Sequence, residues 1–307
     1  MTKYYTIQAG RIVVTDKSEA KIAFLVNPAQ EEISDLIKDY EIDDHTAFSI
    51  SDSDELARLE YEDDHIAIVY KRPKNYSATD YFQFRVSSVG VFLFKDFVIV
   101  VSDSELPITN EKKFNKLTSL KMFVLKLLNL SVFHFNEHLR IINKMSNELE
   151  AKHLSDLDKK EYLAIFGLSK SLVYYTNAVS SNETMLKKLQ MSRSLKFDEN
   201  EQDLLEEIII ENSQCKRLTE IYSSILSSMM VSHEVSNEGN TSDDINALKV
   251  LTVLTIVIMI PTAVASLFSM NVTYPFNVES PLTFWIIFIL MMSGTFSFWL
   301  WLNKKKM

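Results

Sequence analysis

Between Val250 and Phe268 the only regularly placed side chains able to do chemistry are hydroxyls. Thr252, Thr255, Thr262 and Ser266, with Met259 among them, recur at spacings of 3, 4, 3 and 4. On a helix of 3.6 residues per turn these five share one face. The rest of the segment is mostly Val, Ile, Leu, Ala and Phe. Two readings are open. Threonine and serine in apolar helices often bond back to their own backbone or join helices together. Alternatively the stripe faces water, and hydroxyl dipoles line a path for a hydrated cation, because the segment holds no Asp, Glu, Lys or Arg to act as a counter-charge. One helix encloses nothing, so the second reading requires several copies about a symmetry axis. A ring of Met259 side chains would then make an apolar constriction of the kind that gates by dewetting.

Other reactive types are scattered. His134 and His138 stand at i, i+4 and could share a metal, but the string His-Phe-Asn-Glu-His supplies no evident third ligand; ordinary helix surface is the expectation. Ten acids fall in Glu41–Asp64 with only Arg58 against them. They read as solvated loops or as a contribution to a divalent-cation site. Seven more in Asp198–Glu211 suit a helix start, where the dipole favours negative charge, or shape cation binding nearby. Cys215 is the single cysteine. That excludes a disulfide framework and a cysteine zinc site, and its place on a packing seam marks a structural thiol. Five glycines in 307 residues leave little for a P-loop or a dinucleotide fold. No nucleotide is implied, and no enzyme motif appears. The formal net charge of −9 argues against a nucleic-acid partner.

The elements that would position the hydroxyl stripe start from charge. Residues 1–249 hold 29 Lys+Arg and 40 Asp+Glu, whereas residues 250–307 hold three lysines and one glutamate. Val250–Phe268 and Leu282–Leu302 are apolar stretches, each long enough to cross a hydrocarbon core of ~30 Å at about 1.5 Å per residue. Trp285, Trp299 and Trp301 lie near the ends of the second, as an aromatic belt would. Joined by about 13 residues, they form a predicted membrane hairpin. The run Lys304-Lys305-Lys306 places the C-terminus and the body of the chain in the cytoplasm by the positive-inside rule. Met1–Thr15 lacks the apolar core of a signal peptide.

The body reads as an α/β domain over residues 1–105. It carries β-rich runs at Ile22–Val26, Ile66–Lys71, Val89–Phe94 and Phe97–Val101, the last two joined at Lys95-Asp96, and a helix over Glu31–Tyr40. From about Asn110 the pattern turns helical, with a seam Leu117, Leu120, Val124, Leu127, Phe135, Ile142 and Leu149. A break near Leu154-Ser155-Asp156 leads to a second seam at Leu168, Leu172, Tyr175, Val179, Leu186 and Leu189. Together these give a helical hairpin over residues 106–196. A start at Phe197-Asp198-Glu199 opens a stalk helix over 197–249, with Cys215, Leu218, Tyr222, Ile225 and Met229 on its seam. It is expected to run unbroken into the first span, about 71 residues or ~105 Å in all, weakened at Gly239, Asn240 and Ser242. Residues 250–268 then form the first span, 269–281 an external loop, 282–303 the second span and 304–307 a basic tail.

The string Lys249-Val250-Leu251-Thr252, then Pro261-Thr262, Ala265-Ser266, Phe268 and Met270-Asn271, resembles the start, middle and outer end of the first membrane helix in the CorA-type magnesium transporter family. The run Val91–Val100 resembles that family's last N-terminal strands. The resemblance covers the whole plan and implies a CorA-like fold: an α/β N-terminal domain, long helices, a very long stalk helix and a two-helix transmembrane hairpin. It implies a homopentamer in a lipid bilayer that passes hydrated Mg2+, with Co2+ or Ni2+ as further cargo, down its gradient and closes when cytosolic cation is replete. Asn271, Met270 and Ser269 take the place of the selectivity filter, Ser269 standing where the family has glycine. Ser266, Thr262, Met259, Thr255, Thr252 and Leu251 take the pore-lining places, Met259 and Leu251 as apolar gate. The outer loop lacks the acid that usually follows its proline, since Phe276 follows Pro275, and Asn246 sits one residue nearer Lys249 than the family's stalk-base asparagine. A Zn2+ transporter of the same fold, or a non-conducting membrane-anchored cation sensor, are the alternatives.

Overall fold

The structure, a computed structural model, describes residues 2–50, 52, 55–74, 83–109, 112–151, 159–268 and 281–304. The chain divides into two compact units, Met1–His233 and Glu234–Met307.

The first unit is built on a seven-stranded sheet of β1 (Thr2–Gln8), β2 (Arg11–Val14), β3 (Ile22–Val26), β4 (Arg58–Tyr61), β5 (His65–Pro73), β6 (Val86–Phe94) and β7 (Val98–Ser102). Their order across the sheet is β2-β1-β3-β7-β6-β5-β4, and every pairing is antiparallel except β3 with β7. Ala9 and Gly10 close the β1–β2 hairpin with φ of 51° and 74°, the two positive values that a type I′ turn requires. The central strands read as continuous apolar runs because both faces are covered. Val89, Val91, Val98 and Val100 point to one core, and Phe92, Ile99 and Val101 alternate onto the other.

The smaller core lies under α1 (Gln30–Tyr40) and α2 (Asp44–Ser49), which contribute Ile33, Leu36 and Ala47, with Ile42 and Ile50 flanking α2. Ile50 presses onto the sheet where Gly90 leaves room: a Cβ there would stand 2.1 Å from its Cδ1. The larger core is closed by α3 (Leu120–Glu150), α4 (Lys159–Gln190) and the first part of α5 (Glu199–Phe268). Leu168, Leu172, Tyr175, Val179, Leu186 and Leu189 are all at most 1% exposed, as the heptad spacing on α4 predicts. In the second unit, α5 continues helical across Gly239, Asn240 and Ser242, and α6 covers Pro281–Lys304.

Three expectations change. The α3 helix begins at Leu120, not near Asn110, because Ser119 caps it: its hydroxyl accepts the Met122 N–H at 2.9 Å. The α5 seam drifts, so Leu226 is buried while Ile225 is 37% exposed, since a straight helix slips against a 3.5-residue repeat. The acidic run 41–64 is partly ordered structure, holding α2 and β4. The expected break near Leu154-Ser155-Asp156 lies outside the described residues.

Candidate functional site

The hydroxyl stripe lies on α5. With 100° per residue, Thr252, Thr255, Met259, Thr262 and Ser266 fall within an arc of roughly 80°, and Leu251 borders it. The backbone keeps these positions in one helix through Pro261, whose ring removes the N–H that would reach the Val257 carbonyl. Thr252 donates its hydroxyl to the Leu248 carbonyl at 2.7 Å, Thr255 to Leu251 at 2.8 Å and Thr262 to Ile258 at 2.8 Å. This is the back-bonding expected of threonine in an apolar helix. Its consequence is chemical as well as structural. Each hydroxyl proton is spent inside the helix, so what the threonine presents outward is an oxygen lone pair. A row of acceptors suits the protons of a cation's hydration shell, not an anion.

None of the apolar window Ala247–Ser266, 20 residues of mean hydropathy 2.2, is buried. Thr252, Thr255, Thr262 and Ser266 are exposed, as are Met259 at 62% and Leu251 at 59%. Twenty such residues cover about 30 Å, the thickness of a bilayer's hydrocarbon core. Among the described residues it is the one helix long and apolar enough to cross a membrane. The apolar stretch of α6 is shorter, Phe284–Phe298, where two full spans were expected. Trp285 on α6 is exposed and meets Phe284 and Phe288 edge-on; the side chains of Trp299 and Trp301 lie outside the described residues. So do the expected filter residues Ser269, Met270 and Asn271.

The remaining candidates resolve into structural parts. No group of three His, Cys, Asp or Glu able to hold a metal occurs among the described residues. His138 is not plain helix surface: its Nδ1 lies 2.6 Å from the Tyr175 hydroxyl, with Phe84 edge-on at 5.5 Å. Burial, with His134 and Arg72 adding to it, pushes its pKa down to about 4. Burial also lowers His134. In the acidic run, Asp43 caps α2 by accepting the Thr46 N–H at 2.9 Å, which holds its carboxyl low. Glu55 and Glu60 both pair with Arg58, at 2.6 and 2.9 Å. At the start of α5, Asp198 and Glu201 form a reciprocal capping box: Asp198 accepts the Glu201 N–H at 2.8 Å, and Glu201 the Asp198 N–H at 3.0 Å. Glu201, 1% exposed, also takes the Ser119 hydroxyl and Lys121, tying the starts of α3 and α5 together. The Cys215 thiol is buried, 3.1 Å from Asn136 Oδ1, and burial first, then Glu211, push it up to about 12; it is structural.

Sequence reasoning overlooked Asn182 on α4. The β4 ladder on β5 ends at Val69, and beyond it Asn182 stands in for the missing strand. Its Oδ1 accepts the Lys71 N–H and its Nδ2 donates to the Lys71 carbonyl, each at 2.8 Å, while Ser131 donates to the same carbonyl at 2.7 Å. Only the truncated ladder could have revealed it.

An α/β sheet domain, long helices and an unburied hydroxyl-striped apolar helix are together the plan of one transporter family. The chain belongs to the CorA-like Mg2+ transporter protein family, which it matches over residues 21–305. It is 23% identical over 251 residues to the cobalt/magnesium transport protein CorA of Methanocaldococcus jannaschii, covering 78% of this chain and 76% of that one. The complete structure of the CorA magnesium transporter from the same organism aligns at a TM-score of 0.72 and 20% identity, over 98% of this chain and 96% of that one. The ZntB cytoplasmic domain from Vibrio parahaemolyticus aligns at 0.61 and 12% identity, over 77% and 98%.

Proposed function

We propose that this chain forms a homo-oligomeric channel, a pentamer by family resemblance, that passes hydrated Mg2+ across a membrane down its electrochemical gradient. The observation that carries the reading is the apolar window Ala247–Ser266, none of it buried, with its stripe of outward-facing hydroxyl oxygens. Copies arranged with that stripe inward would surround water with acceptors, and lipid would cover the rest. Mg2+ dehydrates reluctantly, so second-shell acceptors suffice to hold it without stripping its waters. For a divalent ion the driving force is about 4.6 kcal/mol per 100 mV. Met259 and Leu251 form the apolar gate, and Asn271, Met270 and Ser269 the outer filter. The first unit lies in the cytoplasm and closes the gate when cytosolic cation is replete.

Proteoliposomes carrying an internal Mg2+ dye test this. Uptake above empty vesicles is expected. Thr262→Val should cut it at least about tenfold, a loss of ~1.4 kcal/mol summed over the ring. Asn271→Ala should abolish it, and Ser269→Gly should raise it. No uptake by the unaltered protein would sink the channel reading in favour of a non-conducting cation sensor. Unchanged uptake by Thr262→Val would return the hydroxyls to a purely structural role. The likeness to a ZntB domain favours one second reading, a Zn2+ transporter of this fold. A Zn2+ dye in the same vesicles would show larger flux for Zn2+ than for Mg2+ if it holds.

A further inference from the structure

We propose that the cavity between residues 112–116 and α3 binds a compact polyphosphate anion. The cavity has a volume of about 240 Å3 and is lined by Lys112, Lys113, Lys126, Asn115 and Asn129, over a floor that includes Phe133. It is smaller than the ~300–1,000 Å3 that drug-sized ligands occupy. Its occupant is therefore a short run of phosphates and not a whole nucleotide.

The charge is concentrated. Lys113, Lys116 and Lys126 make no ion pair among the described residues. Lys113 Nζ sits 2.9 Å from the centroid of the Phe133 ring, and Lys126 Nζ donates to the Asn115 carbonyl. Burial lowers the pKa of both ammonium groups, and Lys116 lowers Lys126 further. An ammonium group whose charge burial disfavours is one that a bound anion relieves. Glu137, the carboxylate acting on Lys113, is bonded to Arg140 at 3.0 Å.

The arrangement is rigid. Phe114 and Leu117 are buried at 2% and 4% exposure, and the Leu117 N–H donates to the Gly10 carbonyl at 3.0 Å. Beside that bond Lys116 has φ 54°, a left-handed conformation uncommon for lysine. In a chain of net charge −9, such local lysine density is not a general surface property. Two or more linked phosphates match it better than one, because Lys112, Lys113 and Lys126 all line the cavity and a chain of phosphates offers each an anionic oxygen. The inference does not depend on whether the chain conducts.

Calorimetric titration of the full-length protein in detergent, with EDTA present and sodium tripolyphosphate as probe, decides the matter. Saturable binding that weakens as salt rises is expected. The Lys113→Gln/Lys126→Gln pair should weaken it at least tenfold and the exposed Lys116→Gln less. Lys188→Gln, an exposed lysine of α4 away from the cavity, should leave it unchanged. ATP binding equal to tripolyphosphate would identify the phosphate tail of a nucleotide as the source, and tripolyphosphate alone the free polyphosphate; each supports the site. No saturable binding at low salt would overturn it. So would equal loss in Lys188→Gln, full retention in Lys116→Gln and the double variant, or ATP binding without tripolyphosphate binding. Thermal melts of each variant separate lost binding from lost folding.

Discussion

Asn182→Ala is expected to loosen the sheet at the end of β5. The substitution removes two bonds of 2.8 Å to Lys71, but their losses are unequal. The Lys71 carbonyl keeps the Ser131 hydroxyl at 2.7 Å, so it loses one partner of two, about 0.5–1.5 kcal/mol. The Lys71 N–H is left buried with no acceptor, which costs about 1–3 kcal/mol. Together the penalty is about 1.5–4.5 kcal/mol. Hydrogen–deuterium exchange of the peptide holding Lys71, read by mass spectrometry on the full chain, reports it as a loss of protection of roughly 10- to 2,000-fold at 1.36 kcal/mol per decade. Ser131→Ala should cost less than half as much, because Asn182 still serves the carbonyl. Asn182→Asp should rescue only the N–H acceptor. Protection within threefold of the unaltered protein, or equal losses in Asn182→Ala and Ser131→Ala, would refute the idea that a side-chain amide replaces a strand here.

Two further outcomes follow from the same packing. His138 has its folded pKa depressed to about 4 against an ordinary 6.5, so between those values the unfolded chain binds the extra proton and stability falls as pH drops. His138→Gln should therefore flatten the pH dependence of thermal stability between pH 6.5 and about 4, by up to ~3 kcal/mol, leaving the smaller shares of His65 and His134, which are lowered in the same direction; an unaltered slope would contradict this. Gly90→Ala would drive a methyl into Ile50, whose Cδ1 and Cγ1 stand 2.1 and 2.6 Å from it, at a cost of about 1–3 kcal/mol. Combining it with Ile50→Ala should cost less than the two changes added separately, and strict additivity in denaturant melts would argue against the contact.

Much of the framework was legible from periodicity. The run Ile22–Val26 is β3 residue for residue, the Lys95-Asp96 turn joins β6 to β7, and Phe197-Asp198-Glu199 marks the start of α5. These features are local: side-chain alternation, turn chemistry and caps are set by neighbours in the chain. What failed was also systematic. β2 and β4 were missed because short edge strands carry too few apolar residues to stand out, and β1, between β2 and β3, because only Tyr5 and Thr6 of its residues are buried. Ile225 was misplaced because a seam that is right over two turns drifts over six.

The hydroxyl stripe, the scarcity of charge from Val250 onward and the spread of acids over the body were properties of the sequence alone, since a helix's period converts spacing directly into a shared face. Tertiary structure decided what those groups are free to do. Glu201 could not be known as the tie to Ser119 and Lys121, nor His138 as the partner of Tyr175, until distant segments met, because burial and long-range hydrogen-bond partners are not functions of local sequence. The same holds for the stripe itself: its spacing showed where the hydroxyls lie, and only the folded helix showed the threonine protons bonded to the carbonyls one turn back.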